Sequence, residues 1–338
     1  MQFGLKDEQE DLRRTVRKFL DDVAPLESVH TSSPQNGARP GVWARMAELG
    51  LPGLTIAAHL GGQGAGPVEL VVVMAELGRV LAGEPVLSTV YAAEVLGRCQ
   101  GPVASEWLTR IAAGSCIATV APSVAAQDDR LTGEASWVVD GASADLIVVG
   151  RHLAQADSPG LVRTPLPVLD GTRALATLSF SDVVAEPLTG ADLPRAADTG
   201  LLALAAEQIG GARACLRMAV DHATTRHAFG RPIGSFQAIK HKCATLHLEI
   251  EAAWASLLHA AWTASVDGPD LPLLAATAAA SASEVFVHAA TENIQIHGGI
   301  GFTWEHPAHL YLRRARSSYE LFGSPRFHRE RAAALIGM

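Results

Sequence analysis

Residues Arg226–Leu246 read RHAFGRPIGSFQAIKHKCATL, and Gln295–Ala315 read QIHGGIGFTWEHPAHLYLRRA. A lone arginine at a helix end is ordinarily a solvated cap. Here Arg226 leads an RxxFGxPIxxFQ string, with Phe229, Gly230, Pro232, Ile233, Phe236 and Gln237 in fixed register between two helical patterns. In the second stretch, HGGIG by itself reads as a helix C-cap, because glycine takes positive φ without a steric cost. A glycine pair also lets backbone amides approach a pyrophosphate or an adenine unobstructed. An arginine can pair with phosphate oxygens as a fork. Together the two stretches point to one dinucleotide site.

Around them the chain reads as helix. One helix is expected over about Thr199–Thr225 and a second from Phe236. In the second, Phe236, Ile239, Cys243, Leu246, Ile250, Ala253 and Leu257 alternate steps of three and four, the seam of a bundled helix. An alanine-rich third covers about Leu271–Ile296, and a last covers Pro325–Leu335. Upstream, Phe3, Leu5, Leu12, Val16, Phe19 and Leu20 share one helical stripe. Gly50–Pro67 is glycine-rich, but its spacing fits neither GxGxxG nor GxxxxGK[ST], so it reads as a connecting loop. From about Ser115 to Val184 short β-branched runs alternate with Gly, Asp, Ser and Pro, the texture of a small β domain. The fold class is α+β, mostly α. Its expected domains are a helical one over 1–114, a β one over 115–192 and a four-helix bundle over 193–338.

Composition narrows the function. Net charge is −8, which disfavours a nucleic-acid partner. No run of 18 uncharged apolar residues appears, so no membrane span is expected. The N-terminal stretch is charged and amphipathic rather than a signal peptide. Cys99, Cys116, Cys215 and Cys243 are far apart and read as reduced core thiols, consistent with the cytoplasm. The 13 histidines form no HExxH pair, and no metal is expected.

In this order of motifs the chain resembles the acyl-CoA dehydrogenase family over nearly its whole length. FGLKDEQEDLRRTVRKFL, GLPGL followed by GGQGAGPVEL and AELGR, the RxxFGxPIxxFQ string, and QxxGGxG followed by RR carry the resemblance. It implies an N-terminal helical domain, a middle β-barrel, a C-terminal four-helix bundle and assembly as a dimer of dimers. It also implies FAD bound across a subunit interface, reached by Arg226, Phe229, Gln295, Gly298 and Gly299, with Phe236 and Gln237 beside them. The reaction implied is α,β-dehydrogenation of an acyl-CoA thioester. A glutamate removes the α-proton, the β-hydrogen leaves as hydride to the flavin, and electrons pass on to an electron-transfer flavoprotein.

The departures from the family pattern cluster. Where the base glutamate is expected, Leu321-Phe322-Gly323-Ser324 places Phe322. The alternative base position, 26 residues before Arg226, is Gly200. Glu320 and Asp198 lie two residues away, an offset of about 200° on a helix, and read as solvated charges. The loop expected to line flavin and substrate reads Val120-Ala121-Pro122-Ser123-Val124-Ala125-Ala126. The strand whose threonine would bond the flavin ring reads Trp137-Val138-Val139-Asp140. What remains is the half that reaches into a neighbour's site. The leading expectation is therefore one subunit of a heterotetrameric dehydrogenase, with a homologous chain supplying the base. Family analogy points to a steroid side-chain CoA ester, as in cholesterol breakdown. The alternatives are a self-sufficient homotetramer with a displaced base such as Glu320, and a structural or regulatory protein that kept the fold.

Overall fold

The computed structural model describes residues 4–30, 38–39 and 41–338. Five helices come first: α1 Asp7–Val23, α2 Val42–Glu48, α3 Pro67–Arg79, α4 Val86–Gly97 and α5 Pro102–Ala112. Strands follow: β1 Ala118–Ala121, β2 Ala125–Gln127, β3 Arg130–Val139, β4 Leu146–Val149, β5 His152–Gln155, β6 Leu161–Pro165, β7 Leu175–Val184 and β8 Glu186–Pro187. The rest is α6 Leu193–Thr225, β9 His227–Ala228, β10 Arg231–Pro232, α7 Gln237–Ser265, α8 Leu271–His297, α9 Ala308–Tyr319 and α10 Pro325–Leu335. Two compact units form, one from 4–30, Val71–Ala82 and Leu201–Met338, the other from 38–39, 41–70 and Gly83–Gly200.

In the first unit the helices approach closely where side chains are missing. A Cβ at Gly210 would lie 1.8 Å from the Ala75 carbonyl oxygen, and one at Gly78 would lie 1.9 Å from that of Glu207. The Phe286 ring occupies the space above Gly211. Buried charge is paired: Arg314 Nη1 donates to Glu207 Oε1 at 2.7 Å, both side chains almost wholly enclosed. Breaking such a pair costs about 3–5 kcal/mol, because the survivor is left charged and dry. The α7 seam is buried at Leu246, Ile250, Ala253 and Leu257 but only half-buried at Phe236, Ile239 and Cys243. In the expected N-terminal stripe, Val16 and Leu20 are buried, and Phe3 lies outside the described residues. Besides the four expected bundle helices there is α9, too short to stand out as a period. Residues Leu271–Phe302 are apolar and long enough to cross a membrane by composition, yet 61% of the window is buried in the protein. Its alanines are buried.

In the second unit β1-β4-β5-β8 form one sheet and β2-β3-β7-β6 another. The alternation of β4 explains their layering. Leu146 and Val148 pack on α4 and α5, whereas Ile147 and Val149 join Leu131, Val138, Leu178 and Phe180 between the sheets. A strand covered on both faces needs the unbroken LIVV run it has. Gly50–Pro67 is a connecting loop apart from a single turn at Ala58–Leu60. Cys116 and Cys215 are buried and Cys99 and Cys243 half-buried, all as free thiols.

Candidate functional site

The RxxFG string folds into a two-residue hairpin. Ala228 pairs with Arg231 and His227 with Pro232, leaving Phe229 and Gly230 at the tip. Their φ angles are 52° and 78°, and positive φ at both central residues defines a type I′ turn. Gly230 accepts that conformation freely. For a phenylalanine it is a strained one. The strain brings no burial within the chain, since Phe229 is 96% exposed. An apolar ring held at a strained tip in water is best explained by a surface outside this chain. Phe236 meets Phe229 edge to face at 6.2 Å, and the Arg231 guanidinium stacks 4.2 Å from the Phe236 ring centre.

Arg226 follows directly on α6, its amide bonded to the His222 carbonyl and its own carbonyl accepting from Ile233. Its exposed guanidinium makes no ion pair or hydrogen bond among the described residues. Gln237 is the exposed first residue of α7.

At the end of α8, Gly298 takes φ 65° and ψ −141°, a region closed to residues with a Cβ. The expected glycine C-cap is there, its amide donating to Ile294 O. Nothing lies within 4 Å of where a Cβ would stand at Gly298 or Gly299, so this backbone is open on one side. Gln295 is exposed just before it. The ends of α6 and α8 are joined by His222 and His297, whose rings stack at 4.3 Å. That contact brings the Arg226 and Gly298 segments together. His306 continues the stack on the other side of His297 at 4.2 Å. These histidines, and the exposed Phe302 and Trp304 beside them, escaped the sequence reading. Their only signal was His222 standing one helical turn before Arg226.

The second unit contrasts with this. Trp137 takes φ 62° where β3 slips register against β7, and the bulge turns its ring out to 64% exposure. The bulge leaves Val138 and Val139 inside. Val139 is 3% exposed, and its carbonyl accepts from Thr119 Oγ1 at 2.6 Å. Asp140 Oδ2 accepts from Ser88 Oγ at 2.6 Å. At Val139, where a hydroxyl was expected, the side chain is apolar and sealed.

Neither position at which a base was expected carries a carboxylate. Phe322 is half-buried at φ 60°. A Cβ on Gly200 would come within 2.9 Å of the Tyr91 ring, so that ring stands where a side chain would leave the helix. Glu320 is exposed at the end of α9, as read from the sequence. Asp198 is not. It was expected as a solvated charge but is 1% exposed, because its turn of α6 lies inside the unit. Burial, and then the Asp198 charge, hold the Tyr91 hydroxyl above its ordinary pKa.

Comparison with known proteins agrees with this geometry. The acyl-CoA dehydrogenase N-terminal domain matches residues 6–115 and the acyl-CoA dehydrogenase C-terminal domain residues 196–336. Acyl-CoA dehydrogenase IpdE2 of Mycobacterium tuberculosis is 37% identical over 322 residues, covering 95% of this chain and 94% of that protein. In the ChsE4–ChsE5 complex from the same organism, one chain superposes with a TM-score of 0.92 at 27% identity, covering 100% of both chains. A chain of a Tcur3481–Tcur3483 steroid ACAD variant superposes at 0.90 with 28% identity, covering 98% of both. With both terminal domains matched and the hairpin and glycine turn in the expected places, the chain belongs to the acyl-CoA dehydrogenase family.

Proposed function

We propose that this chain is one subunit of a heterotetrameric, FAD-dependent acyl-CoA dehydrogenase, completing the FAD site of a homologous partner that supplies the catalytic glutamate. The carrying observation is the split between its two halves. Of the groups that would reach a neighbour's dinucleotide, Arg226, Phe229, Gln237, Gln295, Gly298 and Gly299 are exposed. Where a flavin-ring hydroxyl and a base would be needed in this chain stand the sealed Val139, Phe322 and Gly200. The names of similar complexes, ChsE4–ChsE5 and a steroid ACAD, favour the same arrangement and a steroid side-chain CoA ester as substrate.

Bound FAD would supply the acceptor for the β-hydrogen of the acyl thioester. The residues here fit its dinucleotide part. Arg226 has an exposed guanidinium, uncommitted among the described residues, for phosphate, and nothing crowds the backbone at Gly298 and Gly299. Gln237 and Gln295 bring exposed amides, and Phe229 and Phe236 an apolar pair, to the same surface. None of these groups can remove a proton. In this reading the α-proton goes to a carboxylate of the partner, and an electron-transfer flavoprotein in the cytoplasm would accept the electrons.

A second reading keeps the base in this chain. Its only support is Asp198, a carboxylate enclosed near Tyr91. Flavin counting separates the two. Expressed alone, the chain should be nearly colourless or poorly soluble. Co-expressed with a longer homologue bearing an intact base, it should give a yellow complex with one FAD per pair of unlike chains. A stable yellow homotetramer with one FAD per chain sinks the half-site reading.

A further inference from the structure

Three imidazoles from separate elements form one column: His222 in the last turn of α6, His297 at the end of α8 and His306 ahead of α9. The ring planes meet at 29° and 38°. Hydrogen bonds settle one nitrogen on each of two rings. The Ala308 amide donates to His306 Nδ1 at 3.2 Å, so that nitrogen must be bare. An imidazolium carries a proton on both nitrogens and could not accept there. His297 Nδ1 lies 2.8 Å from the Asn293 carbonyl and must donate to it. The central ring is also buried, only 8% of His297 being exposed.

The surroundings give a positive charge no help. Burial, His297 and Arg226 lower the pKa of His222. Burial and the imidazoles of His297, His222 and His309 bring His306 to about 4. No carboxylate acts on either ring among the described residues. Beyond them, Trp304 stands edge-on to His309, with Arg313 5.0 Å from its ring centre. Nor is this a metal site, since no three ligand groups converge among the described residues.

We propose that the His222–His297–His306 column is the positioning device of the half-site, working only as a neutral stack. It clamps the end of α6, which carries Arg226, to the turn at Gly298 and Gly299. Protonation of His222 or His306 sets a charge against the buried His297 ring and opens the clamp. The consequence for flavin rests on the proposed half-site; the clamp itself does not. The sign follows from the lowered pKa values. The contribution is whole above about 6.5 and fades as pH falls toward the folded-state values, at most about tenfold per pH unit for each proton taken up.

The test is hydrogen exchange of the backbone amides at Ile296–Phe302 in the full chain with its co-purifying partner, corrected for intrinsic rates, from pH 8 to 5. Bound flavin is measured in the same samples. Wild type should lose about tenfold or more in protection between pH 7 and 5. His222→Phe keeps a stacking ring that cannot take a proton, and it should lose that ring's share of the acid step. His306→Phe is the second variant, should the first fail to fold. A flat wild-type profile, or the same acid step in both variants, overturns the clamp. If the step appears and is reduced in the variants but flavin occupancy does not follow it, the clamp stands and the half-site reading falls.

Discussion

The hairpin around Phe229 and the strand around Val139 are both places where this family would grip a flavin, and they are built in opposite ways. The hairpin keeps a phenylalanine in a strained conformation for the sake of display. The strand carries a comparable irregularity at Trp137, but the bulge leaves Val139 sealed and its carbonyl taken by Thr119. The same asymmetry separates Arg226, exposed and unpaired among the described residues, from Gly200, pressed against an aromatic ring. Loss of function by drift would be expected to erode both sets alike. Retention of one and closure of the other is what a chain serving a neighbour's site requires.

A catalytic carboxylate in this chain would damage that contrast most. In the assembled complex, replacing the partner's glutamate with glutamine should slow turnover by at least the roughly 10²–10⁴-fold that general acid–base catalysis supplies. Glu320→Gln and Asp198→Asn in this chain should stay within a few-fold of wild type, compared at equal flavin content. Both substitutions keep size and remove the basic oxygen. A hundredfold fall in either, with flavin retained, would make this subunit catalytic in its own right.

Arg226→Ala examines the open half. A charge-assisted bond to phosphate is worth about 1.5–3 kcal/mol, so flavin should be held at least about tenfold more weakly. Unchanged retention in equilibrium dialysis would return Arg226 to an ordinary helix-end residue.

Gly200→Ala examines the closed half and should have the smallest effect. The added methyl meets the Tyr91 ring at 2.9 Å, and overpacking of this kind costs about 1–3 kcal/mol. Denaturant unfolding should register the loss, and Tyr91→Ala in the same chain should relieve part of it. A neutral Gly200→Ala would mean that space for a side chain exists there after all.

The helices and their order were legible because each carries a period, a cap or a stop. The α7 seam is a run of threes and fours, Gly298 ends α8, and Pro325 opens α10. Arg226, Phe229 and the glycine pair were legible as a motif, and the absent bases were legible by counting. Burial and stacking across elements were not. Asp198 looked like any charge beside a helix start, and only the packing of its turn encloses it. Nothing in the spacing of His222, His297 and His306 relates them, because they lie on three elements whose meeting is set by helix packing. Sequence patterns are local, so they determine what each segment becomes and which chemistry it lacks. Which side chains are sealed, displayed or stacked depends on contacts between distant segments, and those exist only once the chain has folded.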